Sequence, residues 1–187
     1  MSLFLIAACG PALFIFTALL LGFITPSYSA IKQTVSELVL GRFGMGQTVN
    51  FAVSGLLIVI LSLLLLNRGA AIAPTIGAFV MGSILVLSAF YRTDPVKGSI
   101  DKPTATRGMI HVLLFIVGVL AIVVTQLLFG IMAFGTALSF YALASAVIVA
   151  ACLLLVLKYP KRQGIYQRVL ISMIMFWITI FAYAYRK

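Results

Sequence analysis

Six stretches of this chain run for the width of a lipid bilayer without an internal Asp, Glu, Lys or Arg. They lie at about Leu3–Ile24, Asn50–Leu66, Ile72–Phe90, Met109–Phe129, Ala133–Leu157 and Arg168–Tyr185. A spanning helix needs about 20 predominantly apolar residues. Barrel strands instead alternate apolar and polar residues over about ten positions. Continuous runs of this length therefore predict an all-α fold: a polytopic transmembrane helical bundle of six spans, arranged as three successive hairpins and forming one domain over residues 1–187.

Composition agrees with that solvent. Residues of the set AVILMFWYC make up 64% of the chain and charged residues 9%, against about 45–50% and a quarter in soluble domains. The mean hydropathy is +1.24. The first run resembles a signal peptide only at Ser27-Tyr28-Ser29; it lacks a basic start and exceeds the usual apolar length, so it reads as a retained helix. Cys9 and Cys152 both sit in apolar runs. They read as small packing residues, too few for a disulfide framework or a metal site.

The charge that remains is unevenly placed. Three connections are long and polar, at about Thr25–Val49, Tyr91–Gly108 and Lys158–Gln167, and with six spans they share one face. That face holds 10 of the 13 basic residues, namely Lys32, Arg42, Arg92, Lys97, Lys102, Arg107, Lys158, Lys161, Arg162 and Arg168. It also holds all three acids, Glu37, Asp94 and Asp101, while Arg68, Arg186 and Lys187 belong to the other face. The net charge of +10 points to membrane lipids and their anionic headgroups rather than to nucleic acid. A positive-inside count places the long loops in the cytoplasm and the protein in the cell membrane as a multi-pass chain.

Several constellations on the busy face carry polar chemistry. Thr34-x-x-Glu37 has the spacing of a capping box, opening a short interfacial helix with Ile31, Val35, Leu38 and Val39 toward the bilayer. A second reading of Glu37 points it into a polar mouth as base, ligand or ion-pair partner. Gly41, Gly44 and Gly46 suit turns and lack the Lys and Ser/Thr of a phosphate loop. Asn50 heads the second run and suits a helix cap. His111, the only histidine, falls about one turn into the fourth run, where an ionisable group is costly and needs partners. It serves either as a structural hydrogen-bonding group or as a general acid or base oriented by Asp94 or Glu37. One histidine cannot supply both axial ligands of a haem, and no cofactor is expected. A zinc site of His111, Asp94 and Glu37 is possible in type, but no spacing calls for it. Arg168 either snorkels to the headgroups or grips a carboxylate or phosphate. In the fifth run Ala142, Ala146 and Ala150 form a small-residue stripe, for packing within the chain or for a seam with a second copy or another membrane protein.

Five phrases occur in order: Gln33-Thr34-Val35-Ser36-Glu37-Leu38, Gln47-Thr48-Val49-Asn50, Tyr91-Arg92-Thr93-Asp94-Pro95, Gly108-Met109-Ile110-His111 and Gly164-Ile165-Tyr166-Gln167-Arg168. Together they resemble the DUF998 family, small six-helix prokaryotic membrane proteins whose domain has no assigned function. Tyr91-Arg92 stands where that pattern has Phe-Pro. The resemblance implies that Glu37, Asn50, Asp94, His111 and Arg168 belong to a common site, and it implies no activity. Family members often carry their basic residues on the opposite face, which implies the reverse orientation.

Two functions follow as expectations. In the first, the site binds a lipid or amphiphilic ligand at headgroup level, with Ser36, Asn50, Arg107 and Arg168 as binding groups. In the second, the protein is a membrane-embedded hydrolase or transferase acting on a lipid or lipid-linked substrate through His111 with Asp94 or Glu37. A channel fits least, because no run has a polar stripe along its length. Transport would call for polar or broken helices at mid-membrane, hinted at only by Pro11, Thr125 and Gln126.

Overall fold

The computed structural model describes residues 3–94 and 106–186. Among these the chain is helical: α1 (Leu3–Ala8), α2 (Gly10–Ile24), α3 (Gly44–Asn67), α4 (Ile72–Phe90), α5 (Thr106–Met132), α6 (Ala137–Lys158) and α7 (Gln163–Ala184). Two 3₁₀ segments, Val35–Leu40 and Pro160–Arg162, lie in the connections. With α1 and α2 taken together, six helices are long and apolar enough to cross a membrane. The division at Cys9 precedes Gly10-Pro11, where a proline ring removes a helical N–H and crowds the preceding turn. Pro95, Lys97, Asp101 and Lys102 lie outside the described residues.

Several helices outrun the charge-free windows. Helix α3 begins at Gly44, six residues before Asn50, and α7 begins five residues before Arg168. Residues Gly130–Met132, expected as a connection, complete α5. The turn falls instead at 133–136, where the Thr136 side chain accepts from Ser139 N at 3.1 Å. Hydropathy marks where hydrocarbon begins, whereas backbone hydrogen bonding carries a helix on into the headgroup layer.

Each span packs on the next, and α7 closes the ring against α2 while also touching α4. Helix α7 supplies much of the core, with Leu170, Ile174, Met175, Trp177, Ile178 and Phe181 buried. Helices α3 and α4 cross at Gly55 and Gly82. A Cβ at either position would come within 2.9 Å of the other helix's backbone, so the crossing is backbone on backbone, the contact that small residues permit in membranes. Ala142 and Ala146 are buried inside the bundle and Ala150 is half-buried; the stripe packs within the chain.

Polar side chains at mid-membrane also take part in the packing. Thr125 donates to Ala121 O at 2.8 Å, and Gln126 Nε2 donates to Ser145 Oγ at 3.0 Å, joining α5 to α6. At the end of the bundle that carries few charges, Arg68 donates to Arg186 O at 2.6 Å, and its guanidinium lies 3.9 Å from the centre of the Phe4 ring.

Candidate functional site

The long connections meet at one end of the bundle. The first of them is built on the expected capping box. Glu37 N donates to the Thr34 hydroxyl at 3.3 Å, and Thr34 N donates to Glu37 Oε2 at 2.7 Å. The helix that follows is 3₁₀, and its apolar side faces the protein. Val35, Leu38 and Val39 are 4%, 2% and 5% exposed, contrary to the bilayer-facing arrangement predicted for them. The segment lies over the end of the bundle, packed on α2, α3 and α7, so its apolar residues reach the core before they reach lipid. Ile31 alone of the four remains exposed.

The same connection is stapled to α7. Gly164 N donates to Ile31 O at 3.1 Å, and Val35 N donates to Gln167 Oε1 at 2.7 Å. Arg168 Nη1 donates to Ala30 O (2.6 Å), Gln33 O (3.0 Å) and Gly164 O (2.9 Å), and Nη2 donates to the Tyr28 hydroxyl. Tyr28 in turn donates to Thr34 O at 2.8 Å. A Cβ at position 164 would overlap Gln33 O and crowd Ile31 O, which explains the glycine that opens the last motif. Arg168 thus gathers the carbonyls of Ala30 and Gln33, which lie outside any helix, together with that of Gly164 in the first turn of α7, a requirement the sequence does not reveal.

A second bracket joins α4 to α5. His111 Nδ1 lies 2.8 Å from Tyr91 O, a carbonyl at the C-terminal end of α4 where helical partners run out. A carbonyl only accepts, so Nδ1 carries the proton, and in the neutral ring Nε2 is then an acceptor. Asp94 lies against the first turn of α5: a Cβ at Gly108 would overlap its carboxylate. Negative charge is favoured at a helix N-terminus.

Between the two brackets is a cavity of about 260 Å³. Its polar side is formed by Thr34, Ser36, Thr93, His111, Gln163 and Gln167, and its apolar side by Val112, Phe115, Ile116, Val156, Leu157 and Pro160. Val112 and Leu157 are also exposed on the outside of the bundle, so the rim between α5 and α6 reaches the lipid-facing surface. Ser36, His111, Phe115 and Gln167 form a shared wall with a smaller inner void of about 20 Å³, which Ser88 also lines. A void of that size holds about one water molecule.

The predicted site residues are therefore sorted rather than gathered. Ser36 and His111 line the cavity. Glu37, Asp94 and Arg168 are each one position from a lining residue, namely Ser36, Thr93 and Gln167; Glu37 and Arg168 hold the backbone of the first connection, and Asp94 lies against the first turn of α5. Asn50 is buried deeper, donating to Phe14 O at 3.2 Å and accepting from Ser54 Oγ at 3.0 Å; it ties α3 to α2 from within α3 instead of capping it. Arg107 is exposed in the first turn of α5. No three His, Cys, Asp or Glu side chains come together among the described residues, so the triad considered for zinc is not assembled. Sequence reasoning passed over Gln163, Gln167, Thr34 and Thr93 as lining groups. The available signal was an uncharged amide in or beside an apolar run, which is costly unless it has a partner or a ligand.

Comparison with known proteins identifies the family. The chain matches the family described as "Protein of unknown function (DUF998)" over residues 8–184. No curated protein and no solved structure matches it. The chain belongs to the DUF998 family and is a multi-pass helical membrane protein.

Proposed function

We propose that this protein binds a membrane lipid or similar amphiphile at headgroup level, in the cavity between α5, α6 and the loop end of α7. The observation that carries this reading is the division of the cavity wall. Hydrogen-bonding side chains stand at the loop end, and Val112, Phe115, Ile116, Val156 and Leu157 line the path that reaches the outer surface. A site with a few polar groups converging on an otherwise apolar cleft is the usual form of a small-ligand pocket. An amphiphile whose head enters between the brackets and whose chain leaves between the helices satisfies both halves.

The arrangement around His111 supports binding over hydrolysis or transfer. The group that orients the ring is a backbone carbonyl, Tyr91 O, where the catalytic reading called for Asp94 or Glu37. The positive-inside count further supports a cytoplasmic position for the loop face.

Photocrosslinking tests the site. The full-length protein, reconstituted with a phospholipid bearing a diazirine in its acyl chain, should crosslink preferentially within residues 112–116 and 156–157. Leu157→Trp, which fills the rim, should remove that preference. Crosslinks spread evenly over the exposed faces of α2 and α3, unchanged by Leu157→Trp, would overturn the reading.

A further inference from the structure

The cavity's chemistry narrows the head that it can hold. The described side chains lining it are neutral: Thr34, Ser36, Thr93, His111, Gln163 and Gln167 supply its polar wall. The guanidinium best placed to receive a phosphate, Arg168, directs its Nη groups to Ala30 O, Gln33 O, Gly164 O and Tyr28. It borders a separate groove with Phe14, Ala18 and Ile171, and Arg107 is exposed outside the cavity.

Within the wall, His111 has a fixed tautomer. Its Nδ1–H is committed to Tyr91 O, and among the described residues Nε2 has no partner. A neutral imidazole held this way offers one strong acceptor. Gln167 is also half-committed, since its Oε1 takes Val35 N and its NH₂ remains to donate. An acceptor on one side and donors on the other suit a hydroxyl, which donates once and accepts from two sides. A head lacking a proton would leave the His111 acceptor desolvated and unpaired, at a cost of about 1–3 kcal/mol, a factor of roughly 5 to 150 in affinity. An anionic head would be buried opposite that same lone pair.

We propose that the ligand is an uncharged lipid alcohol, its hydroxyl donating to His111 Nε2 and accepting from Gln167 or Ser36, its chain leaving between Val112 and Leu157. This inference rests on the lipid-binding reading of the same cavity.

The test uses three probes that share one chain: oleyl alcohol, its methyl ether and oleyl phosphate. They are offered together to the full-length protein in detergent, and retention is read by native mass spectrometry against the Leu157→Trp variant. Oleyl alcohol should be retained about 10-fold over the ether and over the phosphate, and Leu157→Trp should lose all three. In His111→Phe the alcohol and ether should become equal; the wild-type comparison needs no substitution and stands even if that variant folds poorly. Equal retention of alcohol and ether, or preference for the phosphate, with loss in Leu157→Trp would overturn the alcohol assignment and leave the lipid site standing. Retention no greater than in Leu157→Trp would overturn both.

Discussion

Arg168, in the second turn of the last helix, donates to the hydroxyl of Tyr28, 140 residues earlier in the chain. That contact closes the loop end of the bundle. The guanidinium collects the carbonyl oxygens of residues 30, 33 and 164 and sets the height at which Thr34 and Ser36 meet the cavity.

Replacing Arg168 by Lys should therefore be damaging even though the charge is kept. An ammonium cannot fork across separated acceptors, and hydrogen bonds to a charged group contribute about 1.5–3 kcal/mol each. The expected loss is at least about 1.5 kcal/mol, with faster amide exchange concentrated in residues 28–35. Exchange in that segment matching the parent protein would show that Arg168 does not hold it.

Tyr28 should report on the same bracket through pH. Burial pushes its phenol above the ordinary value of 10.0, opposed by the adjacent Arg168 guanidinium and its hydrogen bond, with Glu37 adding a smaller upward push. A raised native value means that the folded protein favours the neutral phenol. Its contribution to stability is therefore full below about pH 10 and is lost as pH rises through the higher native value. Thermal unfolding from pH 9 to 11 should show that decline in the parent protein and a flatter profile in Tyr28→Phe. Identical slopes would contradict it.

Glu37 separates structure from chemistry. Glutamine serves at the third position of a capping box as glutamate does, so Glu37→Gln should preserve lipid retention and leave stability within about 0.5 kcal/mol. Glu37→Ala should cost about 0.5–2 kcal/mol, the usual worth of a cap. Both are read as unfolding midpoints in detergent. If the glutamine variant loses lipid retention while remaining folded, the carboxylate has a chemical role.

Orientation is open to direct labelling. Both native cysteines lie within spans, so the parent chain should resist a membrane-impermeant maleimide. With Lys32→Cys, on the exposed first connection, labelling is expected only after the cells are disrupted, as the positive-inside count requires. Ready labelling of intact cells would place the loop face outside.

What could be read in advance depended on how local the cause was. The capping box spans four residues, so Thr34 and Glu37 declared it. The burial of Val35, Leu38 and Val39 did not show, because an amphipathic segment looks the same whether its apolar side meets lipid or protein. His111 stood out by its cost in a membrane, yet its partner was Tyr91 O, and a backbone carbonyl has no signature in the residue type that carries it. Gly55 and Gly82 went unremarked beside the more regular alanine stripe of α6, since a close crossing depends on two helices facing each other. Gln163 and Gln167 drew less notice than the charges beside them.

By itself the sequence determined the solvent, the number of spans and the end of the molecule where polar chemistry collects. Each follows from one rule, that charge is excluded from hydrocarbon, and that rule acts residue by residue. The tertiary structure decided which polar residues line the cavity. Of the conspicuous charges, Glu37 and Arg168 are drawn to backbone groups in the first connection, and Asp94 lies against the start of α5, where a helix N-terminus favours negative charge. Their neutral neighbours Ser36, Thr93 and Gln167 are left to line the cavity with His111. Only the assembled bundle fixes that division, because it depends on which backbone groups each charged side chain can reach.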